Sequence, residues 1–420
     1  MRYSAAHWFV LAASMVVFVV SGCGERPHTP PVGEPVSEVA PKETELPPPD
    51  EKRGHEPADV VWNTYHGGFS LRGVADTALP ETLEPAWRFM AGAPVFTTPV
   101  AGDGRIYFAN TKGRLFAVDA QGDEIWSRTL PREARHEWSP TEQEFDAPLT
   151  FYDGVLLAGS ADGIVFALDA ASGEVLWETD IDGAIMGIVN VVPAGAGNDA
   201  EAGARVYVIE QSYGILHCLD FQTGEMLWQS EPVDRCDGSP GVGDGVAVFG
   251  SCAAALHIFS SNTGDRLHDV ALGGDSEVAG GVAVVDGAAY AGSRSGKLVK
   301  ADVRDGTIVW ANTDCDDEAF STPAVSDEWV VFGCAGGTVH ALDRDTGQTR
   351  WTFGARGTVA SPVIAGDKVV ASANGVLFLL ALDDGRELWS YDVSDEITAP
   401  AVVGRMVLTG SSDGTVAAFR

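Results

Sequence analysis

Six cysteines carry the most reactive side chains of this 420-residue sequence, and their spacing sets what they can do. Five of them are Cys218, Cys236, Cys252, Cys315 and Cys334. Cys236 and Cys252 flank a hairpin whose turn falls near Gly243 and Asp244. Folding there sets the two almost opposite each other, so a disulfide is expected in an oxidising compartment. Cys315 and Cys334 flank the corresponding strands two repeats later, with a longer spacer. The position facing Cys334 there is nearer Phe320, and this pair is the second disulfide candidate. Cys218 falls where other repeats carry Ala117, Ala167 and Ala341, which marks a buried free thiol. Short CxxC or HxxxH spacings are lacking, so zinc is not expected. Asp314, Asp316, Asp317 and Glu318 form an acidic run that could hold calcium and reads equally as a solvated turn. His217, His257 and His340 follow strand-like alternation and read as packed rather than catalytic. Phosphate-loop, nucleophile-elbow and HExxH patterns are also missing, so no catalytic residue is assigned.

The sixth cysteine belongs to a different context. Arg2 gives a positive start, and an apolar run follows from Trp8 to Val20. This run is short for a membrane span and suits the core of an export signal. It ends in Val20-Ser21-Gly22-Cys23, which resembles the bacterial lipobox. That resemblance implies cleavage before Cys23 and lipidation of its thiol. Gly24, rather than Asp, follows it, which implies the outer membrane in a diderm cell. Residues 24–58 hold nine prolines among Glu, Lys and Thr, a composition that cannot bury a core. At ~3 Å per residue such a linker reaches on the order of 100 Å. The expected organisation is a signal peptide over 1–22, a Pro-rich linker over 23–58 bearing lipidated Cys23, and one folded domain over 59–420.

Within that domain the sequence repeats with a period of roughly 40 residues. Residues 146–177 read DAPLTFYDGVLLAGSADGIVFALDAASGEVLW, and 321–351 read STPAVSDEWVVFGCAGGTVHALDRDTGQTRW. Each unit has three short apolar runs separated by turn residues, then a tryptophan strand, the content of one propeller blade. The register marks are Trp87, Trp126, Trp177, Trp228, Trp310, Trp351 and Trp389, with His268 in the slot between Trp228 and Trp310. Eight marks predict an all-β, eight-bladed propeller of four-stranded blades. The last repeat stops after three strands, and Trp87 stands in a lone strand with no repeat before it. The closing blade should therefore join strands from 398–420 to one from about 84–90, leaving no free ring edge.

The turn before each tryptophan reads Ala-x-Asp-x-x-x-Gly-x-x-x-Trp, as at Ala167, Asp169, Gly173, Trp177 and at Ala341, Asp343, Gly347, Trp351. Asp can accept turn amides, Gly tolerates positive φ, and Trp supplies a large wedge against the next blade. These positions are expected to dock blades, not to catalyse. This series, with the entry segment Trp62-Asn63-Thr64-Tyr65-His66-Gly67, resembles the PQQ-like propeller repeat family over about 60–420. That family includes quinoprotein alcohol dehydrogenases and an outer-membrane assembly lipoprotein. The dehydrogenases resemble one another in a vicinal cysteine disulfide and a calcium site. No two cysteines are adjacent here, so no cofactor is expected, neither PQQ nor calcium.

The resemblance implies an exported, lipid-anchored scaffold facing the periplasm that binds an envelope protein, with the outer-membrane assembly machinery as the candidate partner. The alternative is a quinone- or sugar-binding redox enzyme or sensor. A formal net charge of −33 excludes nucleic acid as a partner. Two longer excursions interrupt the repeats, at 128–145 and 193–204. The first gathers Arg128, Arg132, Arg135, His136 and Trp138, a cationic and aromatic cluster on an acidic protein and a candidate partner loop.

Overall fold

The computed structural model describes residues 61–130, 143–195 and 203–420. Eight antiparallel sheets form the blades of a propeller. Strands are called A to D from the channel outwards. Blade 1 shows the pattern: Val100–Gly102, Arg105–Ala109, Arg114–Asp119 and Glu124–Thr129. β-Branched and aromatic residues fill strands B and C and are buried on both faces, because each blade is sandwiched between two others. Strand D alternates between half-buried and exposed, as in Val175–Asp180. Tight A–B turns use Asp-Gly pairs with both residues at positive φ, such as Asp244 at 53° and Gly245 at 78°. Near the axis the A strands crowd together. A Cβ on Gly241 would lie 2.1 Å from the Val282 carbonyl oxygen in the next blade.

Blade 8 combines Ala401–Val403, Met406–Gly410 and Thr415–Phe419 with Pro85–Met90 as its strand D. Arg88 pairs with Ala417 in that register. Glu84 and Arg420 exchange backbone hydrogen bonds of 2.6 and 2.8 Å, which fastens the two ends. Closure thus joins a strand from near residue 85 to the C-terminal hairpin, as the truncated last repeat requires.

One element departs from the repeat. Blade 7 is a five-stranded sheet, because Val74–Ala75 pairs in parallel with its strand A, Val363–Ala365. The segment leading to it, from Trp62, crosses the inner strands. Trp62 forms an isolated bridge with Ala101 of blade 1. Tyr65, His66 and Leu71 are buried, and Tyr65 and Leu71 cluster with Ile188. The entry segment singled out in the sequence is therefore packed against the inner strands.

Candidate functional site

The repeated docking residues form one continuous system around the ring. Each indole stands on strand D and donates its N–H to a carbonyl in the C–D turn of the next blade. The acceptors are Ala120 for Trp87, Ala170 for Trp126, Phe221 for Trp177, Asn262 for Trp228, Arg344 for Trp310 and Leu382 for Trp351, at 2.8–3.1 Å. His268 does the same work with Nε2, 2.8 Å from the Arg304 carbonyl oxygen. The turn glycine of the next blade covers each ring. A Cβ on Gly122, Gly173, Gly224, Gly264, Gly306, Gly347 or Gly385 would come within 2.4–2.8 Å of the ring residue beneath it. The turn Asp holds this geometry: Asp343 accepts the Thr346 N–H at 2.8 Å and the Thr346 hydroxyl at 2.9 Å, and pairs with Arg350. Trp389 meets the chain ends instead and packs on Tyr391 and Phe419.

The thiols follow the sequence expectation at Cys315, Cys334 and Cys218 and depart from it at Cys236 and Cys252. Cys315 and Cys334 form a disulfide with Cα atoms 6.1 Å apart. Cys236 and Cys252 are free, which corrects the first pairing. The reason is a one-residue offset. At the end of strand B, Asn110, Ser160, Ser251, Ser293, Cys334 and Ser411 occupy one repeated slot, each following an Ala or Gly. Side chains in this slot face inward and cap the B–C turn, as when Ile164 N–H bonds Ser160 Oγ at 3.1 Å. Cys334 has this inward direction, but Cys252 comes one residue later, on the turn. Cys236 points into the junction and donates to the Gly250 carbonyl at 2.6 Å. Burial pushes its thiol well above the usual range. Cys218 is a buried free thiol, pushed up to about 12 chiefly by burial.

The three strand histidines share one register position on strand C of blades 3, 4 and 6, facing Val208, Phe249 and Phe332. All are buried, and burial is the main cause that lowers each pKa. In blade 4 this produces a hydroxyl–imidazole–carboxylate chain that the sequence did not signal. Ser251 Oγ lies 2.8 Å from His257 Nε2, and His257 Nδ1 lies 2.7 Å from Asp269 Oδ1. In a hydrolase such a chain activates the serine. Here Ser251 is 0% exposed and sits in the capping slot, accepting the Ala253 N–H at 3.1 Å. The hydroxyl is engaged by the turn and closed to substrate.

The acidic run is likewise built into a turn: Asp314 accepts from Asn312 Nδ2 at 3.0 Å and from the Thr349 hydroxyl at 2.7 Å. No group of three or more metal-ligating side chains occurs among the described residues. The inner segment also brings Tyr65 and His66 to the A strands. Tyr65 bonds the Thr322 hydroxyl, and His66 contacts the carbonyls of Leu71 and Pro362 at 2.8 and 2.9 Å. Burial raises Tyr65 to about 12.

The remaining candidate surface is the perimeter. Immediately before the docking position, strand D exposes Val175 (44%) and Leu176 (54%) in blade 2, and Met226 (41%) and Leu227 (48%) in blade 3. Ile125, Leu267, Ile308 and Val309 continue this row on blades 1, 4 and 5. Blade 6 has Thr349 and Arg350 there instead, so the apolar row covers only part of the circumference. Arg128 lies exposed on strand D of blade 1, and its Nη1 bonds the Ser127 carbonyl at 3.2 Å. Arg132, Arg135, His136 and Trp138 lie outside the described residues, as does Cys23.

A family model described as outer membrane protein assembly factor BamB matches residues 77–265, 162–313 and 253–418, overlapping as a repeat should. The BamB of Yersinia pestis is 27% identical over 372 residues, covering 74% of this chain and 86% of that protein. The crystal structure of BamB from Moraxella catarrhalis superposes with a TM-score of 0.64 at 21% identity, over 80% of this chain and 97% of that one. Quinohemoprotein alcohol dehydrogenase from Comamonas testosteroni shares the fold, with a TM-score of 0.68 at 13% identity over 86% of this chain and 80% of that one. With matches running from residue 77 to 418, the chain belongs to the outer membrane protein assembly factor BamB family.

Proposed function

We propose that this propeller is a non-catalytic scaffold of the cell envelope, anchored through lipidated Cys23, that binds a protein of the outer-membrane assembly machinery. Family membership supplies the process. The observation that carries the reading is the apolar row on the free outer edges of the D strands. A monomeric surface rarely keeps several large apolar side chains together on unpaired strand edges without a partner. Rigid blades hold this row in place, and an extended segment or a loop of a partner can dock on it. The acidic surface around it keeps the protein soluble and favours a partner with basic flanks. The test is Leu176→Glu with Leu227→Glu in the anchored protein. Recovery of the partner should fall at least tenfold while thermal stability stays within a few degrees. Unchanged recovery with both charges in place would remove this surface from the scaffold reading.

A further inference from the structure

Strand A ends in Tyr152 in blade 2, Val192 in blade 3, Val285 in blade 5 and Val403 in blade 8, but in Gly243 in blade 4. Blade 1 also has a glycine there, Gly102, and the Phe151 ring takes up its space: a Cβ on Gly102 would lie 2.1 Å from that ring. Around Gly243 the space stays open. The nearest atoms to a Cβ built there belong to Val284 and Ser70, at 3.6–3.8 Å. The absent side chain leaves a cavity of about 290 Å³ between strand A of blade 3, the A–B turn of blade 4 and the inner segment. Phe69, Val191, Val192 and Val242 give it apolar walls. Two polar side chains also line it. Ser261 is 4% exposed; its N–H bonds the Gly245 carbonyl at 3.0 Å and its carbonyl accepts the Tyr207 hydroxyl. Its own hydroxyl has no hydrogen-bond partner among the described residues. A buried hydroxyl in that state costs free energy that a ligand acting as donor would recover. Asp244, on the rim, is exposed, and its Oδ2 accepts the Gly287 N–H at 2.8 Å. Among the described residues no Lys, Arg or His pairs with this carboxylate.

We propose that this cavity is a binding site for a small organic cation, a protonated amine on a short apolar chain. The chain packs against Phe69 and the three valines, and the ammonium has the Asp244 carboxylate and the Ser261 hydroxyl as acceptors. Apolar walls with a few convergent polar groups are the make-up of a small-molecule site. The unpaired carboxylate, on a protein of formal net charge −33, selects a cation over a neutral or anionic molecule of the same shape. Gly243 is the residue that makes the room, and its φ lies outside the left-handed region, so its backbone does not require glycine. The site goes beyond the scaffold reading and stands without it.

The experiment titrates the full chain with hexylamine, hexanol and hexanoate and follows the amide resonances of Val242, Asp244 and Ser261. Hexylamine should shift all three to saturation, with a Kd at least tenfold below that of hexanol, and hexanoate should leave them in place. Gly243→Val fills the cavity and should weaken hexylamine at least tenfold while the melting temperature stays within a few degrees. Asp244→Asn keeps a residue that tolerates the positive φ of this turn. It should reduce hexylamine to the affinity of hexanol, and it serves if the valine variant does not fold. Nα-Acetyl-lysine methylamide carries the same ammonium on a stretch of main chain and should bind at least tenfold more weakly than hexylamine. Tighter binding of the lysine derivative would assign the cavity to a protein side chain and overturn the proposal. So would hexylamine that does not saturate, equal affinity for hexanol, or an affinity that neither variant changes.

Discussion

Trp351→Ala is the most informative single perturbation of the ring. Trp351 is 8% exposed and lies under Gly385, whose Cβ position falls 2.4 Å from its ring. Its Nε1 donates 2.8 Å to the Leu382 carbonyl of blade 7. Truncation removes the indole from a tight junction, at a cost of about 3–5 kcal/mol for a buried Trp→Ala change. It also leaves the Leu382 carbonyl without its donor. Trp351→Phe separates the two contributions, because it keeps most of the apolar area and loses only the N–H, a loss of about 1 kcal/mol. Urea unfolding followed by circular dichroism measures both. The alanine variant should lose several times more stability than the phenylalanine variant. Equal losses, or an alanine variant within ~1 kcal/mol of the parent, would refute the view that these rings hold neighbouring blades together.

Further expectations follow from the same contacts. His217, His257 and His340 have folded-state pKa values held below the unfolded value of about 6.5 by burial, so below that pH the unfolded chain binds protons that the folded chain refuses. Stability should be fully present above about pH 6.5 and fall as pH drops, and His217→Phe should flatten the slope between pH 7.5 and 5.5 in urea titrations. In native protein Cys252 should alkylate first, with Cys218 and Cys236 reacting only after unfolding, as mass spectrometry of iodoacetamide adducts would show. The Cys315–Cys334 disulfide should survive as a linked peptide pair in a non-reducing digest; a Cys236–Cys252 pair in its place would contradict the inward-slot argument. Cys23→Ser should move the protein from the membrane to the soluble fraction, and continued retention would refute the lipid anchor.

The fold was legible because its determinants are local and repeated. Trp, Gly and Asp recur at fixed offsets, and His268 could be recognised in a tryptophan slot because seven other junctions set the register. The truncated last repeat and the lone Trp87 strand together implied closure. Of the two candidate cysteine pairs, Cys315–Cys334 was legible and the free state of Cys236 and Cys252 was not, because a one-residue shift turns a strand side chain to the other face. Cys252 and Cys334 look equivalent in a rough repeat alignment, yet one sits on the turn and the other in the inward slot. The path of residues 62–75 along the inner strands was not legible for the opposite reason. Its partners, from Ala101 to Ile364, are spread over most of the chain, and backbone carbonyls leave no mark in side-chain periodicity. The Ser251–His257–Asp269 chain likewise arises where a capping position meets two ordinary cross-strand neighbours. The perimeter row could have been found by comparing the two residues before each docking position, which are apolar in blades 2, 3 and 5 and polar in blade 6.

Isolation of the protein with its anchor intact, in mild detergent after brief crosslinking, and identification of what accompanies it decide whether it is a tethered scaffold with a protein partner. Enrichment of a defined outer-membrane assembly complex, lost when Leu176 and Leu227 carry charge, is the expected result. Recovery of the protein alone, at native abundance and with efficient crosslinking, would contradict it.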